Sequence, residues 1–236
     1  MSANSNLLIL TAAIIGFIHT LAGPDHYLPF IMMAKAKKWS HLKTAIVTVA
    51  CGIGHVASSV ILGLIGIAFG IALHKLKLIE SFRGNIAAWA LTAFGFTYMI
   101  WGIWKALKNI SHAHPHIHED GAEHRHEHSH ALSHSHLHES GKINITPWIL
   151  FTIFVFGPCE PLIPILMYPA ATENIGSLLP VILIFSIATI GTMLAMVYLS
   201  LFGLNRIRLR MFERYSHAIA GGAIFLSGFA ILFLRL

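Results

Sequence analysis

Long apolar runs alternate with short basic clusters along this chain. Six runs approach the roughly 20 apolar residues that a bilayer span requires: 7–33, 45–73, 85–107, 147–169, 176–203 and 216–234. A polar stretch dominated by histidine, 108–145, separates the third run from the fourth, and the other connections are short. The pattern predicts an all-α integral membrane protein with six transmembrane helices.

Composition supports lipid as the solvent. Hydrophobic residues make up 56% and charged residues 11%, against about 25% charged in soluble domains, and the mean hydropathy is +0.70. The net charge of +6 does not point to nucleic acid, because the basic residues sit between apolar runs, where they orient membrane helices. Lys35, Lys37, Lys38, Lys43, Lys105, Lys108, Arg125, Lys142, Arg206, Arg208, Arg210 and Arg214 fall in the first, third and fifth connections. Lys75, Lys77, Arg83 and Arg235 fall on the other side. This asymmetry predicts a cytoplasmic (inner) membrane protein with both termini outside and the histidine-rich loop in the cytoplasm. The start, MSANSNLLIL, has no positive region ahead of its apolar run, so that run reads as a retained span rather than a cleaved signal. Cys51 and Cys159 both lie in apolar runs and make no disulfide framework.

The two halves echo each other. The first run contains Gly23-Pro24-Asp25-His26-Tyr27-Leu28-Pro29, and the fourth contains Gly157-Pro158-Cys159-Glu160-Pro161-Leu162-Ile163-Pro164. Three spans per half turns the second half upside down, the pattern of inverted-repeat transporters whose broken helices meet near the midplane. The expected organisation is a first three-helix repeat over 1–107, a loop over 108–145 and a second repeat over 146–236, with helices 1 and 4 broken and the site between spans one, two and four.

Asp25 and Glu160 are the acidic groups read within the runs, and no Lys or Arg is read deep in any of them. An ionisable group at the bilayer centre costs roughly 2.5–3.5 kcal/mol on insertion scales and marks function by default. Each follows a Gly-Pro break. Proline removes an N–H and crowds the carbonyl four residues back, so the freed carbonyls of Thr20 and Phe154 must line a cavity or meet partners. His19, His26 and, from the second run, His55 accompany Asp25. Imidazole with carboxylate suits zinc, nickel, iron or copper better than magnesium or calcium. Cys159 beside Glu160 adds a softer ligand from the other half. The metal set is therefore His19, Asp25, His26, His55, Cys159 and Glu160. The plainer alternatives are a lone histidine bonding across helices, for His55 or His217, and a small buried hydrophobe for Cys159.

The loop carries His112, His114, His116, His118, His124, His126, His128, His130, His134, His136 and His138, with Glu119, Asp120, Glu123, Glu127 and Glu139 among them. Such a segment builds no packed core and is expected to be disordered without ligand, and neutral imidazoles bind late first-row divalent metals. The competing reading is a pH-responsive solvated linker.

The His19…Asp25-His26 cluster, the Gly54-His55 pair, six spans and the central histidine-rich loop together resemble the nickel/cobalt transporter families and the urease-accessory-like transmembrane domain. These belong to the wider lysine-exporter-type superfamily. The resemblance implies metal-ligand roles for His19, Asp25, His26 and His55. Exporters of the broader group carry a comparable loop, which implies export.

The expected function is transport of a divalent transition metal as substrate, with no organic cofactor and no enzymatic activity. The partners implied are metal ions and the lipid bilayer; no nucleic acid is implied, and a homo-oligomer or a partner protein is left open. Three alternatives remain at this point: a thiol carrier acting through Cys159, a sulfite-type anion exporter, and a membrane-anchored metal store that uses the loop alone.

Overall fold

The computed structural model describes residues 3–108, 112–117, 123–128, 145–172, 175–206 and 210–234. The first run is two helices rather than one. Helix α1 (Ala3–Ala22) stops ahead of Gly23-Pro24, a 3-10 turn (Pro24–His26) follows, and α2 (Leu28–Ala36) resumes the path. Pro24 has no N–H to continue the ladder, and its last rung is the Gly23 N–H to the His19 carbonyl at 3.1 Å. Helix α2 is buried at every position from Pro29 to Ala36 except Lys35.

Helix α3 (His41–Ala68) is capped by Ser40, whose hydroxyl accepts the Lys43 N–H at 3.2 Å, satisfying one orphan donor of the first turn. Helix α4 runs from Leu73 to Lys108. The fourth run breaks as the first does. Helix α5 (Thr146–Phe156) ends at Gly157-Pro158, and α6 (Leu162–Ala171) follows. A 3-10 turn (Ile175–Ser177) leads into α7 (Leu178–Arg206), and α8 spans Arg210–Leu234.

Among the described residues, four helices are long and apolar enough to cross a membrane: α3, α4, Leu178–Leu204 of α7 and Arg214–Phe233 of α8. Helices α1 and α5 are apolar but shorter over the stretch that counts. The surface is inverted relative to a soluble protein. Leu10, Ile61, Trp89, Ile187 and Phe202 are exposed, whereas Thr20, Thr48, Ser59 and Thr189 are fully buried. Apolar side chains outward and hydroxyls inward suit hydrocarbon as the surrounding medium. Outside the histidine-rich segment the described residues form an all-α membrane protein.

Helix α4 lies along α8, α1 along α7, α5 along α3, and α3 also meets α7. Exchanging α1 with α5, α3 with α7 and α4 with α8 converts the second contact into the third and leaves the other two unchanged. The α4–α8 seam is closed by glycine on both sides. A Cβ on Gly95 would stand 2.2 Å from the Phe225 nitrogen, and one on Gly102 2.3 Å from the Ala218 nitrogen. From the other side, a Cβ on Gly221 would stand 2.2 Å from the Met99 nitrogen and one on Gly228 2.4 Å from the Thr92 hydroxyl. Small residues at such a crossing let two backbones approach within van der Waals contact.

Three connections meet at one end of the bundle. Lys35 Nζ donates to the Leu204 carbonyl at 3.4 Å, Lys37 Nζ to the Thr146 hydroxyl, and Arg214 to the Ala106 carbonyl at 3.3 Å. Lysine and arginine on the last carbonyls of α7 and α4 also suit the negative ends of those helices. Lys37 is held below the ordinary lysine range, first by its burial and then by Lys43 and Lys105 nearby.

One sequence expectation needs correction. The third run was placed at 85–107, but α4 begins twelve residues earlier, at Leu73, and takes Glu80 and Arg83 into the bundle. Glu80 is 1% exposed. Arg83 Nη1 lies 3.1 Å from Glu80 Oε1, an ion pair that offsets the burial of the two charges, while neither Glu80 oxygen has a hydrogen-bond partner among the described residues.

In the histidine-rich segment, β1 (His112–Ile117) and β2 (Glu123–His128) pair antiparallel. The register sets His112 opposite His128, His114 opposite His126 and His116 opposite His124. His118, His130, His134, His136 and His138 lie outside the described residues.

Candidate metal centre

The site forms where the two breaks face α3. Because α1 ends at Ala22, the chain turns back through Pro24–His26, and His26 folds beneath the last turn of α1, which carries His19. The His19 and His26 rings have centroids 4.7 Å apart. His55, mid-way along α3, completes the group at 5.0 Å from His26 and 6.4 Å from His19. One ligand atom from each of the three lies within 4.8 Å of the others.

The hydrogen bonding of the rings decides what these nitrogens can do. His26 Nδ1 lies 3.0 Å from the Gly23 carbonyl oxygen and 3.3 Å from Asp25 Oδ1. Both are acceptors, so Nδ1 carries the proton and Nε2 of the neutral ring keeps its lone pair. His55 hydrogen-bonds to the Phe154 carbonyl, the one that Pro158 deprives of its fourth-residue donor. His55 Nε2 has no hydrogen-bond partner among the described residues, which assigns the contact to Nδ1. The Nε2 atoms of His19, His26 and His55 are all buried without a hydrogen-bond partner among the described residues.

A buried polar nitrogen without a partner costs about 1–3 kcal/mol, and three converging ones call for a shared occupant. A histidine ligand holds its other N–H on a carbonyl or carboxylate, which fixes the tautomer and orients the ring. His26 and His55 have that arrangement, each through a carbonyl at a Gly-Pro break. A tetrahedral zinc-like ion with bonds near 2.0–2.1 Å needs nitrogens roughly 3.3 Å apart. Three imidazoles also leave a fourth position open, as exchangeable sites do.

The remaining sequence candidates are placed as follows. Asp25 stands behind His26 rather than within the converging group. Glu160 is exposed on the wall of a cavity of about 840 Å³ that His19, Asp25, His26, His55 and Asn85 also line. Cys159 is fully buried in an apolar cluster with Val56, Leu162 and Leu166, and its N–H bonds to Ser59 Oγ at 3.2 Å. The structure does not bring its thiol to the histidines. His217 is remote, bonded to the Tyr98 hydroxyl at 2.7 Å and near Lys105 Nζ at 3.1 Å.

The sequence reading passed over Glu80, Arg83 and Ser58. Arg83 Nη2 donates to Ser58 Oγ at 2.7 Å and to the Val155 carbonyl at 2.9 Å. Ser58 in turn donates to the His55 carbonyl at 2.8 Å. The available signal was the Glu80–Arg83 spacing of three, which puts the two on one helix face, but the low hydropathy of 74–84 hid the helix. Comparison of the chain with protein-family models, with curated proteins and with solved structures found no match.

Proposed function

We propose that this chain is a transporter of divalent transition-metal ions across the cytoplasmic membrane, working as an exporter by alternating access. The observation that carries the reading is the grouping of three histidines where both broken helices meet, with a ligand atom of each within 4.8 Å of the others and the Nε2 of each buried without a hydrogen-bond partner among the described residues. Broken helices contribute ligands and helix ends at the centre of inverted-repeat transporters. The exchange relation among the helix contacts supports two such repeats, with α1 and α2 together as the first span and α5 and α6 together as the fourth. The meeting of Lys35, Lys37 and Arg214 at one end supports a common, cytoplasmic side for the first, third and fifth connections. On that side the histidine-rich loop collects metal at the entrance, which favours export.

The ion sheds water and takes the Nε2 atoms of His19, His26 and His55 as ligands. Asp25 supplies negative charge behind His26. Ligand imidazoles bind only when neutral, so metal entry and proton occupancy exclude each other at this site. Rocking of one repeat against the other then moves the access path. Cys51 and Cys159, buried in separate apolar clusters, offer no pair for a thiol carrier.

The test is flux in sealed proteoliposomes against zinc, nickel, cobalt, iron, copper and manganese ions. Saturable movement of at least one, lost in His19→Ala, is expected. A flat response to all six with movement of sulfite or a thiol overturns the reading.

A further inference from the structure

Arg83 reaches both flanks of His55, through Ser58 and the Val155 carbonyl, without touching the ring. Its Nη2 bonds Ser58 Oγ, and the Ser58 hydroxyl bonds the carbonyl of His55 itself. The same Nη2 bonds the Val155 carbonyl, one peptide from the Phe154 carbonyl that holds His55 Nδ1. Val155 is a carbonyl that the break leaves open, because the Cys159 N–H that would reach it turns to Ser59 Oγ instead. A guanidinium there satisfies the orphan acceptor and opposes the negative end of α5. Glu80, 1% exposed, holds the far side of the guanidinium at 3.1 Å. Next along α4, Gly84 packs on the Pro158 ring, where a Cβ would stand 2.7 Å from Cγ. One side chain of α4 therefore ties the His55 turn of α3 to the broken end of α5.

We propose that Arg83, anchored by Glu80, is a positioning residue for the metal centre: it sets the orientation of His55 through Ser58 and the Val155 end of α5. The inference rests on reading the histidine triad as a metal centre. Buried ion pairs in a membrane segment are costly to keep, and bonds that reach both sides of one ligand give this pair a role that packing alone would not require. Lysine carries the charge but not the planar fork that serves two acceptors and a carboxylate together.

The test is visible absorption of bound Co²⁺ in the full-length chain, read as the difference from its His19→Ala variant so that cobalt on the loop cancels. Arg83→Met is expected to weaken triad affinity about tenfold, the low end of what loss of an outer partner of a ligand costs, and to shift the cobalt band. Arg83→Lys is expected to recover part of the affinity. Ser58→Ala keeps the ion pair and removes only the link to His55, and should move the affinity and band in the same direction. It decides the matter if Arg83→Met does not fold. An affinity and band unchanged in Ser58→Ala and in folded Arg83→Met overturn the inference while leaving the triad intact. Absence of any His19-dependent band in the unmodified chain overturns the metal-centre reading, and the inference with it.

Discussion

The Nδ1 atom of His26 lies 3.0 Å from the carbonyl oxygen of Gly23. The contact exists because the chain reverses at Gly23-Pro24, and it leaves the opposite nitrogen of the ring buried without a hydrogen-bond partner among the described residues. Glycine is required for the approach, since a Cβ at Gly23 would stand 2.5 Å from His26 Nδ1 and 2.9 Å from Asp25 Oδ1.

Gly23→Ala must therefore displace the His26 ring. The expected result is a loss of triad metal affinity of about tenfold or more, measured by zinc titration calorimetry as the difference from His19→Ala. Unchanged affinity would remove His26 from the ligand set.

Asp25 acts from behind the ring. Asp25→Asn keeps the volume and removes the charge, while the Gly23 carbonyl still holds Nδ1. Metal affinity should fall by about 10–100-fold, as for other outer partners of histidine ligands, and flux at low metal should collapse while the protein inserts and purifies normally. Wild-type flux in this variant would make Asp25 a structural partner of the turn.

The α4–α8 seam predicts a stability effect separate from the site. Gly95→Val and Gly221→Val place carbon 2.2 Å from backbone nitrogen of the facing helix, so the helices must part. Each should cost about 1–3 kcal/mol or more, the usual scale of overpacking, seen as a lower unfolding temperature in detergent. Gly191→Ala and Gly203→Ala, with nothing within 4 Å of the added carbon, serve as neutral controls. Equal behaviour of the two pairs would place the seam elsewhere.

The breaks were readable from the chain because proline acts locally: Pro24 and Pro158 end their helices whatever surrounds them. The grouping of His19 with His26 followed from their spacing of seven beside the break, and His55 joined by its residue type in the second run and by the resemblance of the Gly54-His55 pair. What could not be read was direction. Asp25 and His26 are adjacent, and only the 3-10 turn decides that the carboxylate stands behind the ring. Cys159 and Glu160 are also adjacent, and the reversal between α5 and α6 sends the thiol into the apolar cluster and the carboxylate to the cavity wall. Glu80 and Arg83 escaped because pairing across three residues cancels a charge penalty that hydropathy counts twice.

The loop and the triad make opposite demands on mutation. Eleven histidines joined to the bundle by polar connections are expected to hold several ions weakly through exchanging sets of imidazoles. Protonated imidazole has no lone pair for metal, so loop binding should be present above about pH 6.5, the reference histidine value, and be lost as pH falls below it. The loop has no apolar run with which to form a path across the bilayer. Deleting residues 112–138 should therefore raise the metal concentration needed for half-maximal flux and leave the maximal flux measurable. His19→Ala removes one of three ligands at the only point where both breaks and α3 converge among the described residues, and should abolish flux at saturating metal with the loop intact. Proteoliposome flux measured for both variants over a wide metal range separates the two roles. Loss of all flux on loop deletion, together with a silent His19→Ala, would move the essential site into the loop and end the case for a centre between the broken helices.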